Sequence, residues 1–312
     1  LNFINTAKTL VAGQISDAYT VQLRDIYGNV AIASSKINLY LYSGSTAGSF
    51  ATSSSASEFI VSQVTIPSGG QTVTFYYKDL VKNNPVITIA DQNPLDSPDS
   101  GLINATQTQT ITWGDVFRIA ITSQTPILEN GQVSSKQTVQ LQNSYGISRP
   151  ADGATLLYLT TSNSNRGFAT TSTGPFNIGQ ITIPSGEATA DYYYRQLATG
   201  TAQLVVSETS PANGPIGWLD ASQTIEVSAG QPGRIVVGYA PESVVAKHPS
   251  GAINLQIYNN SGYPTSGHNG VRLYLRSSSI VSGTEFAAST NGPWGINFID
   301  IPAGQSSAQV YY

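Results

Sequence analysis

Apolar and polar residues alternate one by one through most periodic segments of this chain. After the turn Ile66-Pro67-Ser68-Gly69, Val73, Phe75 and Tyr77 share one face and Thr74 lies on the other. Ala190, Tyr192 and Tyr194, opposed by Asp191, repeat the pattern, as do Ala308, Val310 and Tyr312, opposed by Gln309. A period of two sends successive side chains to opposite faces of a strand, here apolar inward and polar outward. Val21/Leu23, Leu39/Leu41 and Ile87/Ile89 behave in the same way. Thr, Val, Ile and Tyr fill these segments, while Gly, Pro, Asn and Ser separate them. Tyr27-Gly28-Asn29 reads as a strand-ending turn in which glycine takes positive φ. No stretch of a dozen residues keeps the i, i+3, i+4 stripe of an amphipathic helix. The pattern predicts an all-β chain of short strands.

The same strands return at a domain-sized interval. Ile66, Ile183 and Ile301 each open an Ile-Pro-Ser/Ala-Gly turn, 117 and 118 residues apart. A Tyr-Tyr pair begins ten residues after each of them, at Tyr76, Tyr193 and Tyr311. Val21 to Gly28 matches Val139 to Gly146, with Leu255 to Gly262 a weaker third copy, and Leu39-Tyr40-Leu41 matches Leu157-Tyr158-Leu159 and Leu273-Tyr274-Leu275. A unit of about 115 residues can bury its own core, unlike the short units of a solenoid. With about seven strands per unit, each is predicted to be an immunoglobulin-like β-sandwich, a barrel or jelly roll being the alternative. The expected domains are residues 1–114, 115–230 and 231–312, joined by the short stretches Trp113-Gly114-Asp115 and Ala229 to Gly233. Repeat three has eight residues after Gly304 where repeat one runs 45 beyond Gly69 to Gly114. It is therefore expected to lack its last strands, either by truncation or because another chain supplies one.

Composition narrows the function classes. Hydrophobic residues are 40% of the chain and charged ones 10%, against roughly 25% charged in an ordinary soluble domain. Ser, Thr, Asn, Gln and Gly fill the difference, giving a neutral surface that suits close lateral packing. The net charge is −4 with no basic stripe, which argues against nucleic acid as a partner. Cysteine is absent, so disulfides, thiolate zinc sites and thiol catalysis are excluded. Methionine is also absent, which suggests that Leu1 is not the first residue of the gene product. No apolar run is long enough for a membrane helix. No Gly-x-Ser-x-Gly elbow, phosphate loop or His-Glu-x-x-His motif occurs, and the chain reads as non-enzymatic.

The order Asp25-x-Tyr27-Gly28-Asn29, Leu39-Tyr40-Leu41, Gly48-Ser49-Phe50, Thr65 to Gly69 and Tyr76-Tyr77-Lys78-Asp79 resembles the bacterial Ig-like repeats of invasin-type adhesins and of some S-layer proteins. The resemblance covers repeats one and two and the visible part of repeat three. It implies a cell-surface or extracellular setting and partners that are copies of the same protein, other surface proteins or glycans. Repeat two departs from the turn motif at Asn143 and Ile147 and repeat three at Asn259 and Tyr263, so the turn is expected to carry no common binding site. Together with the neutral surface, these features predict a structural surface protein, an S-layer lattice subunit or an extracellular filament. An adhesin stalk and a carbohydrate-binding module of a secreted enzyme are the alternatives.

A few residues invite chemistry. Asp91, Asp96 and Asp99, with Asn93, form the best calcium candidate, because calcium takes several oxygen ligands from loops. Solvated loop acids are the competing reading, favoured by repeat two, where the corresponding stretch Glu208 to Gly217 holds one carboxylate. Sequons at Asn104-Ala105-Thr106 and Asn259-Asn260-Ser261 are candidate glycosylation sites. His248 and His268 read as loop residues. Trp113, Trp218 and Trp294 fit either a sugar-binding face or packing.

Overall fold

The computed structural model describes residues 1–95, 101–241, 243–266, 269–279 and 285–312. Asp96, Asp99 and His268 lie outside these. Repeat one is built on two four-stranded sheets, with a two-stranded parallel pair beside them. The first runs in the order Asn2–Phe3, Tyr19–Gln22, Thr72–Asp79, Gly48–Ala51, and the second Gln63–Ile66, Ile37–Ser43, Val86–Ala90, Ala105–Thr108. Neighbours within both sheets are antiparallel. The alternation read from the sequence sets their faces: Tyr19, Val21, Phe75 and Tyr77 from one sheet meet Leu39, Leu41, Ile87 and Ile89 from the other in one core. Thr9–Val11 pairs in parallel with Thr110–Thr112, which brings the beginning and the end of the repeat together.

Repeat two follows the same plan. One sheet runs Arg118–Ile121, Gln137–Gln142, Thr189–Gln196, Arg166–Ala169, and the other Leu128–Glu129, Ala221–Ser228, Gly200–Ser207, Thr155–Thr161, Gln180–Ile183. Leu128–Glu129 lies parallel to Ala221–Ser228, the counterpart of the parallel pair in repeat one. In repeat three the described strands include Arg234–Tyr239, Ile253–Tyr258 and Ser307–Val310 in one sheet, and Val271–Tyr274 beside Phe298–Ile301. The chain is therefore an all-β array of immunoglobulin-like sandwiches in tandem. The strands of repeats one and two outnumber the seven expected, because pairings as short as Asn2–Phe3 and Leu128–Glu129 show no alternation to read.

One latch recurs in all three units. The backbone N–H groups of Tyr77, Tyr194 and Tyr312 donate to the Oγ atoms of Ser16, Ser134 and Ser250, each at 2.9 Å. The rings of Tyr77 and Tyr194 lie fully buried against Phe50 and Phe168, and burying rings of this size contributes about 2–3 kcal/mol apiece. Burial, aided by the Asp17 charge, pushes the Tyr19 phenol far up, and burial does the same to Tyr77 and Tyr192. The fold thus favours the neutral phenol. That stabilisation is complete below the pKa of an unfolded tyrosine, about 10, and is lost as pH rises from there towards the folded values. Alkaline titration is expected to unfold the chain cooperatively above about pH 10, with these phenolates appearing together in ultraviolet absorbance. Smooth ionisation with the β-sheet signal intact would contradict this.

Candidate functional site at the interdomain joints

Five residues separate Thr112 from Arg118, and five separate Ser228 from Arg234. What fixes one sandwich on the next is a side chain of the following repeat. Asn143 ends the strand Gln137–Gln142, and its Oδ1 accepts the N–H groups of Tyr145 and Ile147, both at 3.0 Å, closing its own turn. Its Nδ2 points the other way. It donates to the carbonyls of Ala12 at 2.8 Å and Trp113 at 3.0 Å, both in the preceding repeat or its exit. Arg149 Nε adds a bond to the linker carbonyl of Gly114 at 3.0 Å. Asn143 is 1% exposed, so this carboxamide, with two acceptor and two donor contacts, is satisfied in a buried setting.

The second joint is built in the same way from the corresponding positions. Asn259 Oδ1 accepts the Tyr263 N–H at 3.0 Å. Its Nδ2 donates to the Asn130 carbonyl at 3.0 Å, to Asn130 Oδ1 at 2.6 Å and to the Ala229 carbonyl at 3.2 Å. Asn130 stands where Ala12 stands in repeat one, and Ala229 where Trp113 stands. Thr265 Oγ1 holds the Gly230 carbonyl at 2.6 Å, the role of Arg149 at the first joint.

Each joint also has a knob and a socket. The knobs are Ile147 and Tyr263, four residues after the asparagines. The sockets are Gly13 and Gly131, both in the left-handed region at φ +88° and +80°. A Cβ on Gly13 would lie 2.6 Å from Ile147 Cγ1, and one on Gly131 would fall inside the Tyr263 ring. Glycine is required here twice over, by its φ and by the approach of the neighbouring domain. Ile147 and Trp113 extend the core of repeat one into the joint.

The turn departures at Asn143, Ile147, Asn259 and Tyr263 therefore form one recurring site, contrary to the expectation that the turn carries none. It faces the preceding sandwich, which comparison of the turns among themselves does not reveal. Its sequence signal is Asn-x-x-Gly-Ile/Tyr in one repeat matched to a glycine near the start of the repeat before. In repeat one the corresponding residue is Asp25, exposed, whose Oδ1 accepts the N–H groups of Tyr27 and Asn29 at 2.9 and 2.8 Å.

Other candidates fall elsewhere. Asn259 is buried and its Nδ2, the atom a glycan would occupy, is spent on the joint, so the folded array leaves no room for glycosylation there. Asn104 sits half-buried just ahead of the strand Ala105–Thr108. Asp91 Oδ2 accepts the Leu102 N–H at 3.1 Å, and among the described residues no cluster of three His, Asp or Glu side chains is placed to hold a metal. Trp113 and Trp218 pack against the cores of repeats one and two. His248 lies exposed in a turn. No helix among the described residues is long and apolar enough to cross a membrane.

No protein-family model and no curated protein matches this chain. Several solved structures are similar to it at low identity. FdeC, an Escherichia coli adhesin, shares 12% identity over 99% of this chain and 86% of its own, with a TM-score of 0.34. InvD of Yersinia pseudotuberculosis shares 13% over 96% and 79%, with a TM-score of 0.31. The S-layer protein SbsC shares 14% over 91% of this chain but only 31% of its own, with a TM-score of 0.27. An adhesin and an S-layer protein are the kinds of protein whose repeats the turn and core motifs resemble. The sandwich assignment stands on the strand pairing above and not on these likenesses.

Proposed function

We propose that this chain is a load-bearing part of a structural cell-surface protein, an S-layer lattice subunit or an extracellular filament, with no catalytic role. The observation that supports this reading is the joint. The chain commits a buried asparagine, a bulky knob and a positive-φ glycine to the same interdomain contact twice. Such joints suppress the relative motion that short interfaces ordinarily allow. A sparsely charged surface then lets neighbouring arrays approach without strong repulsion.

Electron microscopy of the native cell surface and of the purified chain tests the reading. Regular sheets or fibres built from β-rich units are the expected result. Stiff single rods with no lattice would move the assignment to an adhesin stalk, which the joints would serve equally well. Flexible strings of beads would contradict both.

A further inference from the structure

Repeat two buries carboxylate oxygens that no donor among the described residues reaches. The loop between the strands Gly200–Ser207 and Ala221–Ser228 begins with Glu208 and ends with Asp220. One oxygen of each is used locally: Glu208 Oε1 accepts the Trp218 N–H at 2.9 Å, and Asp220 Oδ2 accepts the Gly214 N–H at 2.8 Å. The other two, Glu208 Oε2 and Asp220 Oδ1, are shut off from solvent without a hydrogen-bond partner, and so is Oδ1 of Asn213. The loop's own bonds gather the three side chains. Asn213 Nδ2 lies 3.5 Å from Glu208 Oε1, and the N–H that Asp220 holds belongs to the very next residue, Gly214. Among the described residues no ion pair involves either carboxylate.

The frame that seats the first carboxylate occurs in both complete sandwiches. In repeat one Asp91 Oδ2 accepts the Leu102 N–H beside Gly101, as Glu208 accepts the Trp218 N–H beside Gly217. Both glycines have positive φ, +87° and +84°, and a Cβ on either would run into the carboxylate. Asp91 Oδ1 is again buried without a partner. Repeat one has Asn104 where repeat two has Asp220, so the second carboxylate is particular to repeat two.

Buried acceptors need donors, and buried charges need a counter-charge or a metal. Water would supply the first and not the second. A cation supplies both. Two carboxylates and a carboxamide oxygen, in a loop with no His or Cys, form a hard oxygen set that suits calcium rather than a transition metal. We infer that the Glu208–Asp220 loop of repeat two binds calcium through Glu208 Oε2, Asn213 Oδ1 and Asp220 Oδ1, with water and loop carbonyls completing the shell. The loop also holds the entrance of repeat two. The Leu219 N–H donates to the Phe117 carbonyl at 3.0 Å, and its carbonyl accepts the Ile119 N–H at 2.9 Å. Bound calcium therefore fixes the strand that follows directly on the first joint.

Calorimetric titration of the whole chain with calcium chloride, with thermal melting in calcium and in chelator, tests the inference. Binding with a Kd of about 10⁻⁴–10⁻³ M, the range of extracellular calcium modules, is expected, and the melting temperature should rise with calcium. Glu208→Gln and Asp220→Asn keep an acceptor for the Trp218 and Gly214 N–H groups, and each should weaken binding on the order of tenfold or more. In chelator both should melt no lower than the wild type, because a stranded charge has gone. In calcium both should melt below it. Variants that melt lower in chelator and in calcium alike would show the carboxylates to be structural hydrogen-bond acceptors only, and would overturn the inference. Asn213→Ser, which leaves both carboxylates in place, covers the case in which a carboxamide variant fails to fold, and it should weaken binding severalfold. No heat and no melting shift with calcium, or binding that all three variants leave unchanged, would overturn it as well.

Discussion

Asn259→Asp is expected to uncouple repeat three from repeat two while both sandwiches stay folded. An aspartate keeps an oxygen where Oδ1 accepts the Tyr263 N–H, so the turn survives, as it does around Asp25 in repeat one. The other end of the group changes sign. Where Nδ2 donates to the Asn130 carbonyl, Asn130 Oδ1 and the Ala229 carbonyl, a carboxylate would present an acceptor to three acceptors in a fully buried position. Stranding a charge and three acceptors without donors costs about 3–5 kcal/mol, which is comparable to the whole worth of a small interdomain contact. In urea unfolding followed by tryptophan fluorescence, a single coupled transition for the wild type should split in the variant, with repeat three melting first. Asn143→Asp should split repeat one from repeat two by the same logic. An unchanged transition would show that the carboxamide is not what holds the joint.

Gly131→Ala is expected to have a comparable effect from the opposite side of the same joint. Two costs add. The left-handed φ of +80° strains any Cβ by about 1–2 kcal/mol. The Tyr263 ring occupies the place where that Cβ would go, and forcing such an overlap costs about 1–3 kcal/mol more. The two terms can be separated. Gly28 has φ +83° but nothing within 4 Å of its added Cβ, so Gly28→Ala should show the backbone term alone. Combining Gly131→Ala with Tyr263→Ser should recover the steric part but not the backbone part, a coupling that a double-mutant cycle on interdomain stability would measure. Equal losses for Gly28→Ala and Gly131→Ala would mean that the knob and socket contribute nothing.

Much of the fold is legible in the sequence because a strand with one face in a core must alternate. Val21 and Leu23 on one strand, and Phe75 and Tyr77 on another, are assignable to inner faces from spacing alone, and the Ile-Pro-Ser-Gly turns fix the period. The short pairings were not legible. Thr9–Val11 and Leu128–Glu129 join their sheets by parallel contact with strands about a hundred residues away, and no local pattern marks such a pairing. The joints were half legible. Asn143, Ile147, Asn259 and Tyr263 stood out as departures from the turn of repeat one. Their meaning depends on Gly13 and Gly131 in the repeat before, and a comparison of each turn with its own copies cannot supply that. Asn259 shows the hazard most clearly: as a sequence it is a sequon, and as a structure it is a buried clamp.

The central claim is that matched asparagine and glycine positions hold neighbouring sandwiches in one fixed relation. The absence of native cysteine makes the direct test simple. Spin labels on Thr52→Cys and Thr170→Cys, exposed residues at corresponding positions of repeats one and two, report the interdomain distance by pulsed electron resonance. A single narrow distance distribution in the wild type, broadened by Asn143→Asp, is the predicted result. A broad distribution in the wild type, or a narrow one that Asn143→Asp leaves untouched, would contradict it.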